Sequence, residues 1–206
     1  MARDRYHHGN LRAELLRQAE KVLATRGAEA LSLRELARLT GVSHAAPRRH
    51  FPDKQALLDA LAVEGFGRLG QELDAGVGSD TRPFPERLAG FATAWVRFAT
   101  ERPALLDLMF AAKNRPQAEE LRRTADRAFT TSSAMIVAGE ANGDLVGEHD
   151  RIVLAILAMV QGLAALITSG MCGERNPEQM IDATTRTLLD GLRPREHPSD
   201  PGLAAH

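Results

Sequence analysis

The chain has one cysteine, Cys172, so no disulfide framework can staple it and a packed core must hold it together. Aromatic residues are only 4% of it, with one Trp and one Tyr, so that core must be mainly aliphatic. Alternating β-branched runs, the mark of strands, are scarce. The apolar run over residues 152–168 is short for a membrane span and contains Gln161 and Gly162. It is expected to be a helix buried on both sides, with no membrane contact. The N-terminus is polar and lacks a secretory pattern, so a cytoplasmic protein is expected. A Gly-rich phosphate loop, a nucleophile elbow and paired His at metal-binding helical spacing are also missing. Glu148, His149 and Asp150 are consecutive and cannot converge on one ion; they read as an acidic helix start. The expectation is therefore no enzyme, no metal site and no cofactor.

What is present is helical. Hydrophobic residues are 44% of 206, enough for a sizeable core, and periodicity near 3.6 dominates. An all-α chain of about nine helices is expected. The net charge of −1 conceals an asymmetry. Residues 1–54 hold 11 of the 26 Lys and Arg but 6 of the 27 Asp and Glu, a local charge of +5 against −6 for the rest. Four of the seven His also fall there. A basic module on an acidic body fits one end that faces nucleic acid.

The basic module contains LSLRELARLTGVSHAAPRRHFPDK, residues 31–54. Ser32 is a good N-cap, and Glu35 three residues on completes a capping box, with Leu31 and Leu36 as the hydrophobic staple. This predicts a helix from Ser32 to about Thr40. Gly41 allows a tight turn, and Ser43 is a second N-cap for a helix from His44 to about Phe51. Two short helices joined by a Gly-containing turn form a helix-turn-helix. Residue 47 should be the apolar plug of the second helix. It is Pro47, whose missing N–H would have bonded the Ser43 carbonyl, a loss expected to be small in a first turn. The outer face carries His44, Arg48, Arg49 and His50, with Lys54 just beyond. Arg can fork onto guanine O6 and N7. A basic face can be merely solvated, but this one lies on the groove-facing element of the motif.

Residues 6–66, from YHHGNLRAELLRQA to Phe66, resemble the DNA-binding domain of the tetracycline-repressor (TetR) family of bacterial regulators. The resemblance is carried by GVS followed by His50, Phe51, Asp53 and Lys54. It implies an all-helical C-terminal domain that dimerises and binds a small molecule. In that family position 48 is commonly a Tyr that contacts phosphate; here it is Arg48, which leaves base preference open. The resemblance implies domains at 1–53 and 54–192, followed by a Pro-rich tail, 193–206, expected to be disordered. Bases would be read by His44, Ala45, Arg48 and Arg49. Phosphates would be held by Ser32, Ser43, His50 and Lys54.

The rest of the chain fills in this frame. An arm, residues 1–9, carries Arg3, Arg5, His7 and His8 and is expected to lack order without DNA. Asn10 should cap a first helix ending at Gly27, whose N-terminus could hold a phosphate. Asp53 should cap a fourth helix to about Leu73, then a loop over residues 74–82. Further helices are expected at 83–101, from Pro103, at 116–141, at 149–169 and from Asn176 to Leu192. Trp95, Phe98, Met109, Phe110, Met135, Met159 and Gln161 could line an effector cavity, mostly apolar with a few polar groups, or be ordinary core. In the 149–169 helix, Ala155, Ala158, Gly162, Ala165 and Ser169 make a small-residue stripe. The opposite side carries Ile152, Ile156, Met159, Leu163 and Leu166. The small stripe, with Thr184 and Leu188 of the last helix, would pair with a second subunit as a four-helix bundle. The function expected is a homodimeric, ligand-responsive regulator, a repressor that releases a near-palindromic double-stranded operator when a small molecule binds. Two other readings fit parts of the sequence: a non-specific DNA-organising protein, and a small-molecule-binding helical protein with a vestigial helix-turn-helix.

Overall fold

The computed structural model describes residues 11–116 and 118–192. The expectations for the arm, for Asn10 and for the tail fall outside them. Among the described residues every regular element is helical. α1 (Leu11–Arg26) buries Leu15, Leu16, Ala19, Val22 and Leu23. A single 3-10 turn (Ala28–Ala30) leads to α2 (Leu33–Thr40). α2 opens as its sequence dictates: Ser32 is extended, and its Oγ accepts the Glu35 N–H at 3.1 Å. The other half of the capping box is replaced, because the Glu35 carboxylate pairs with Arg26 instead. Leu31 and Leu36, the expected staple, are both buried. α2 ends in a Schellman motif: Gly41 is left-handed at φ 69°, Val42 N–H bonds Ala37 O at 3.0 Å and Gly41 N–H bonds Arg38 O at 3.3 Å.

The second helix of the motif is not an α-helix. Residues 44–46 form a turn and Pro47–Arg49 one turn of 3-10 helix. Pro47 is the cause. Without its N–H the Ser43 carbonyl has no i+4 donor, so Ala46 N–H closes on it at 3.0 Å. Arg49 N–H then bonds Ala46 O at 3.2 Å in the same i+3 pattern. Only at Phe51, whose N–H reaches Pro47 O at 2.9 Å, does an i+4 bond return. Pro47 is nonetheless buried as the plug.

α3 (Lys54–Val77) is the axis of the molecule. Asp53 caps it, accepting the Ala56 N–H at 2.8 Å. It runs past Leu73, the expected end, for another turn. Around it stand α4 (Phe84–Glu101), α5 (Pro103–Lys113), α6 (Glu119–Ala128) and α7 (Thr130–Ala141). Glycines on α3 let three of these approach closely. A Cβ on Gly65 would sit 2.6 Å from Met109 Sδ of α5, and one on Gly70 would sit 2.9 Å from Ala128 Cα of α6. A Cβ on Gly76 would lie 2.5 Å from Gly90 O of α4, and one on Gly90 would fall on the Gly76 carbonyl. Gly76, read from sequence as loop, is thus a notch inside a helix.

The helix expected over 116–141 is two helices, broken at Phe129. No Gly or Pro marks the break. It arises because Ala128 is drawn onto Gly70 while the Phe129 ring turns to Trp95, 5.7 Å between centroids. α8 (His149–Thr168) and α9 (Pro177–Leu192) complete the chain. Asn176 Oδ1 accepts the Glu178 N–H at 2.8 Å at the start of α9. α8 is long and apolar enough to cross a membrane by length and composition, yet it packs on α4 and α9. Ile152, Ile156, Val160 and Leu163 are buried. Its other side is open in the single chain: Leu154 is 67% exposed, and Leu166, expected on the core side, is 38% exposed.

Candidate nucleic-acid interface

The helix-turn-helix presents its basic residues to solvent. His44, Ala45, Arg48, Arg49 and His50 are all exposed, and so are Ser32 and Ser43. Beneath them Phe51 and Pro47 are buried, which anchors the turn to α1 and α2. Among the described residues no carboxylate pairs with Arg48 or Arg49 within 4.0 Å. Their charge is therefore available to a polyanion. Arg17 and Arg26 of α1, by contrast, are paired locally. Arg17 binds Glu14 at 2.9 Å, and this bond holds the Glu14 carboxyl below its ordinary pKa, with help from Gln18. Arg26 pairs with Glu35.

Lys54 is positioned differently from the others. It is half-buried, and its ammonium donates to the Glu29 carbonyl at 3.1 Å and lies 3.8 Å from the Glu29 carboxylate. It thus ties the start of α3 to the turn between α1 and α2. An ammonium has three donors, so this bond leaves capacity for a phosphate. Arg12, which sequence reasoning passed over, places its guanidinium 5.4 Å from the Phe51 ring centroid. A signal existed: Arg12 falls in the first turn of a helix that begins close to the motif.

In the helical domain, three of the seven residues expected at an effector cavity come together. Trp95 and Phe110 meet, 6.2 Å between centroids, and Trp95 Nε1 donates to Gln161 Oε1 at 3.0 Å. Phe66 and Phe129 join them; the sequence reading had not placed either in this cluster. Phe98 is fully buried elsewhere, under the Arg102 guanidinium at 5.1 Å, and Met109 packs against Gly65. Met135 is fully buried, Met159 half-buried and Gln161 exposed. A cleft of about 500 Å³ between α3 and the α5–α6 connection is lined by other residues, among them Gln55, Asp59 and Arg115.

The small-residue stripe of α8 is open to solvent. Ala158, Gly162, Ala165 and Ser169 are exposed and Ala155 half-buried. A Cβ at Gly162 would meet nothing within 4 Å. On α9, Thr184 and Leu188 are half-buried. Cys172, in the connection between α8 and α9, is a free thiol.

Comparison with known proteins agrees with this geometry. Residues 15–61 match the family described as bacterial regulatory proteins, tetR family. Residues 88–192 match a tetracyclin repressor-like C-terminal domain. A protein of unknown function from Rhodococcus sp. RHA1 is 38% identical, with 93% of this chain and 100% of that one covered and a TM-score of 0.84. The TetR family transcriptional regulator PfmR from Thermus thermophilus shares the fold at 22% identity, TM-score 0.68, covering 87% and 99% of the two chains. A TetR family regulator from Marinobacter aquaeolei does so at 17% identity, TM-score 0.73, covering 90% and 97%. No curated protein matches significantly. Two family matches, one on each half, join the exposed basic helix-turn-helix to the helical body behind it: the chain belongs to the TetR family of transcriptional regulators.

Proposed function

We propose that the protein is a homodimeric repressor that leaves a near-palindromic operator when a small, largely apolar molecule binds its helical domain. Residues 1–53 are its DNA-binding unit, residues 54–192 its effector-binding and dimerising unit, and it works in the cytoplasm, where the DNA is. The observation that carries the reading is the exposed Arg48–Arg49 edge of the helix-turn-helix, with which no carboxylate pairs among the described residues. His44, Ala45, Arg48 and Arg49 read bases. Ser32, Ser43, His50 and Lys54 hold phosphates. The open stripe of α8 (Ala155, Ala158, Gly162, Ala165, Ser169) and Thr184 and Leu188 of α9 face the second subunit. The twofold axis sets two recognition turns about 34 Å apart, one per major groove. The effector lies against Trp95, Phe98, Met109, Phe110, Met135, Met159 and Gln161, and acts by preferring a dimer with different spacing. No carboxylate nucleophile, metal or cofactor has a part in this.

Selection of bound fragments from genomic DNA at two salt concentrations tests it. One or a few near-palindromes should persist at the higher salt. Indiscriminate recovery at low salt and none at high salt would instead identify a phosphate-driven, non-specific binder. With an operator in hand, Lys54→Ala should weaken all sequences about equally and flatten the salt dependence. A change in sequence preference would remove Lys54 from the phosphate set.

A further inference from the structure

We infer that Arg12 of α1 is a DNA-backbone contact, aimed by the ring of Phe51, so that the phosphate grip extends beyond the helix-turn-helix onto the preceding helix. This rests on the DNA-binding reading above. The Arg12 guanidinium lies 5.4 Å from the Phe51 centroid, within the range of a cation–π contact. The His50 ring also neighbours the Phe51 ring, 6.4 Å between centroids and tilted by 52°. Phe51 is only 2% exposed and is tied by its N–H to Pro47 O, so it is a fixed platform. Arg12 and His50 thus each neighbour the Phe51 ring at the end of the recognition turn, and both are exposed.

Three facts separate Arg12 from an ordinary surface arginine. First, among the described residues no carboxylate lies within salt-bridge range of it, while Arg17 and Arg26 on the same helix are both paired. A cation left unpaired at the Phe51 end of the recognition turn adds to the positive field there. Second, stacking on a rigid ring orients the guanidinium in advance, so less side-chain freedom is lost when it meets a phosphate. Third, Lys54 has part of its donor capacity engaged by Glu29, so a further free cation beside Phe51 adds to the phosphate grip at this end of the motif. B-form DNA presents a phosphate about every 3.4 Å along each strand, so a backbone lying along this edge offers a partner to each of several cations. Backbone contacts of this kind fix register and carry no sequence information.

The test is the salt dependence of binding by the full-length protein, on its selected operator and on mixed-sequence duplex DNA. Each dimer carries two copies of Arg12. Arg12→Gln should therefore lower the slope of log K against log salt by about 1.8 and weaken both DNAs by the same factor. Arg12→Lys, which keeps the charge, should restore most of the slope. A purely structural role on Phe51 would instead lower the thermal midpoint of Arg12→Gln and leave the slope unchanged, and that result overturns the inference. Arg49→Ala serves as the reference. If it abolishes operator preference while Arg12→Gln leaves the slope intact, only the Arg12 assignment falls. If Arg49→Ala has no effect, or the wild type binds no duplex at all, the DNA-binding reading falls with it.

Discussion

Gly162 is where the proposed dimer is most exposed to disproof. In the single chain a side chain there would meet nothing within 4 Å, and the site lies in mid-helix between the exposed Ala158 and Ala165. Gly162→Glu should therefore leave the isolated subunit intact. It should even add roughly 0.5 kcal/mol to helix stability, since Glu is the better helix former. In a dimer whose α8 stripes pack together, the same substitution puts two carboxylates into an apolar seam beside the twofold axis. Desolvating an unpaired ion is worth several kcal/mol, so about 6 kcal/mol is at stake for the pair. If the long side chains escape half of that by reaching the rim, about 3 kcal/mol remains, more than a hundredfold in the dimer dissociation constant. Sedimentation equilibrium across a concentration series, with circular dichroism to verify helix content, reads both effects. A helical monomer at concentrations where the wild type is a dimer is the expected result. A dimer of unchanged affinity would show that the α8 stripe is not the seam, and the open face of α8 would need another explanation.

Two glycines should respond in opposite directions. Gly67 is exposed on α3 with nothing within 4 Å of an added Cβ, so Gly67→Ala should raise the thermal midpoint by about 2–4 °C for about 1 kcal/mol of helix propensity; Gly90→Ala drives a methyl into the Gly76 carbonyl and should lower it by at least as much. Equal responses would mean the α3–α4 crossing is looser than described. Glu20→Gln removes a bidentate partner from Arg68, whose Nε is already buried without a hydrogen bond among the described residues. Because the pair is partly exposed, about 1 kcal/mol of stability should go, read as a lower urea midpoint at unchanged slope. An unchanged midpoint would exclude this pair as a strut between α1 and α3.

The sequence was most legible where structure is decided within four residues. Ser32, Gly41, Asp53 and Asn176 each satisfy or reverse the backbone through their own side chain or φ, and each did so as expected. The two-faced character of α8 was legible for the same local reason, its 3.6-residue period. Three features were not. Pro47 was visible but underestimated, because the missing N–H alters not one bond but the hydrogen-bonding pattern from Ala46 to His50. The break at Phe129 has no local marker and follows from contacts with Gly70 and Trp95, far away in the chain. Gly76 looked like a loop residue because a glycine in sequence does not reveal whether it frees a backbone or admits a neighbour. Lys54 illustrates the limit for sites: its motif position was plain, but its bond to Glu29, 25 residues earlier, was not.

The arrangement around α3 constrains how an effector could act. α3 begins three residues after the recognition turn ends at Phe51, and continues unbroken to Val77. Three of its glycines lock it against α5, α6 and α4, so none of these helices can slide without moving it. Its charged side chains extend the connection both ways: Arg68 to Glu20 of α1, and Glu72 to Arg97 and Arg102, the latter seated on Phe98. A change from nearly all DNA-competent to nearly all released requires about 5.5 kcal/mol of differential effector affinity. One partly exposed ion pair of about 1 kcal/mol cannot supply that. That energy must come from the effector's own contacts, and the close glycine crossings transmit it, because a packed crossing resists small displacements and changes by whole rearrangements. An effector seated by Trp95 would therefore shift α4 and α3 together, and the Glu20–Arg68 pair would carry that motion to α1 instead of generating it.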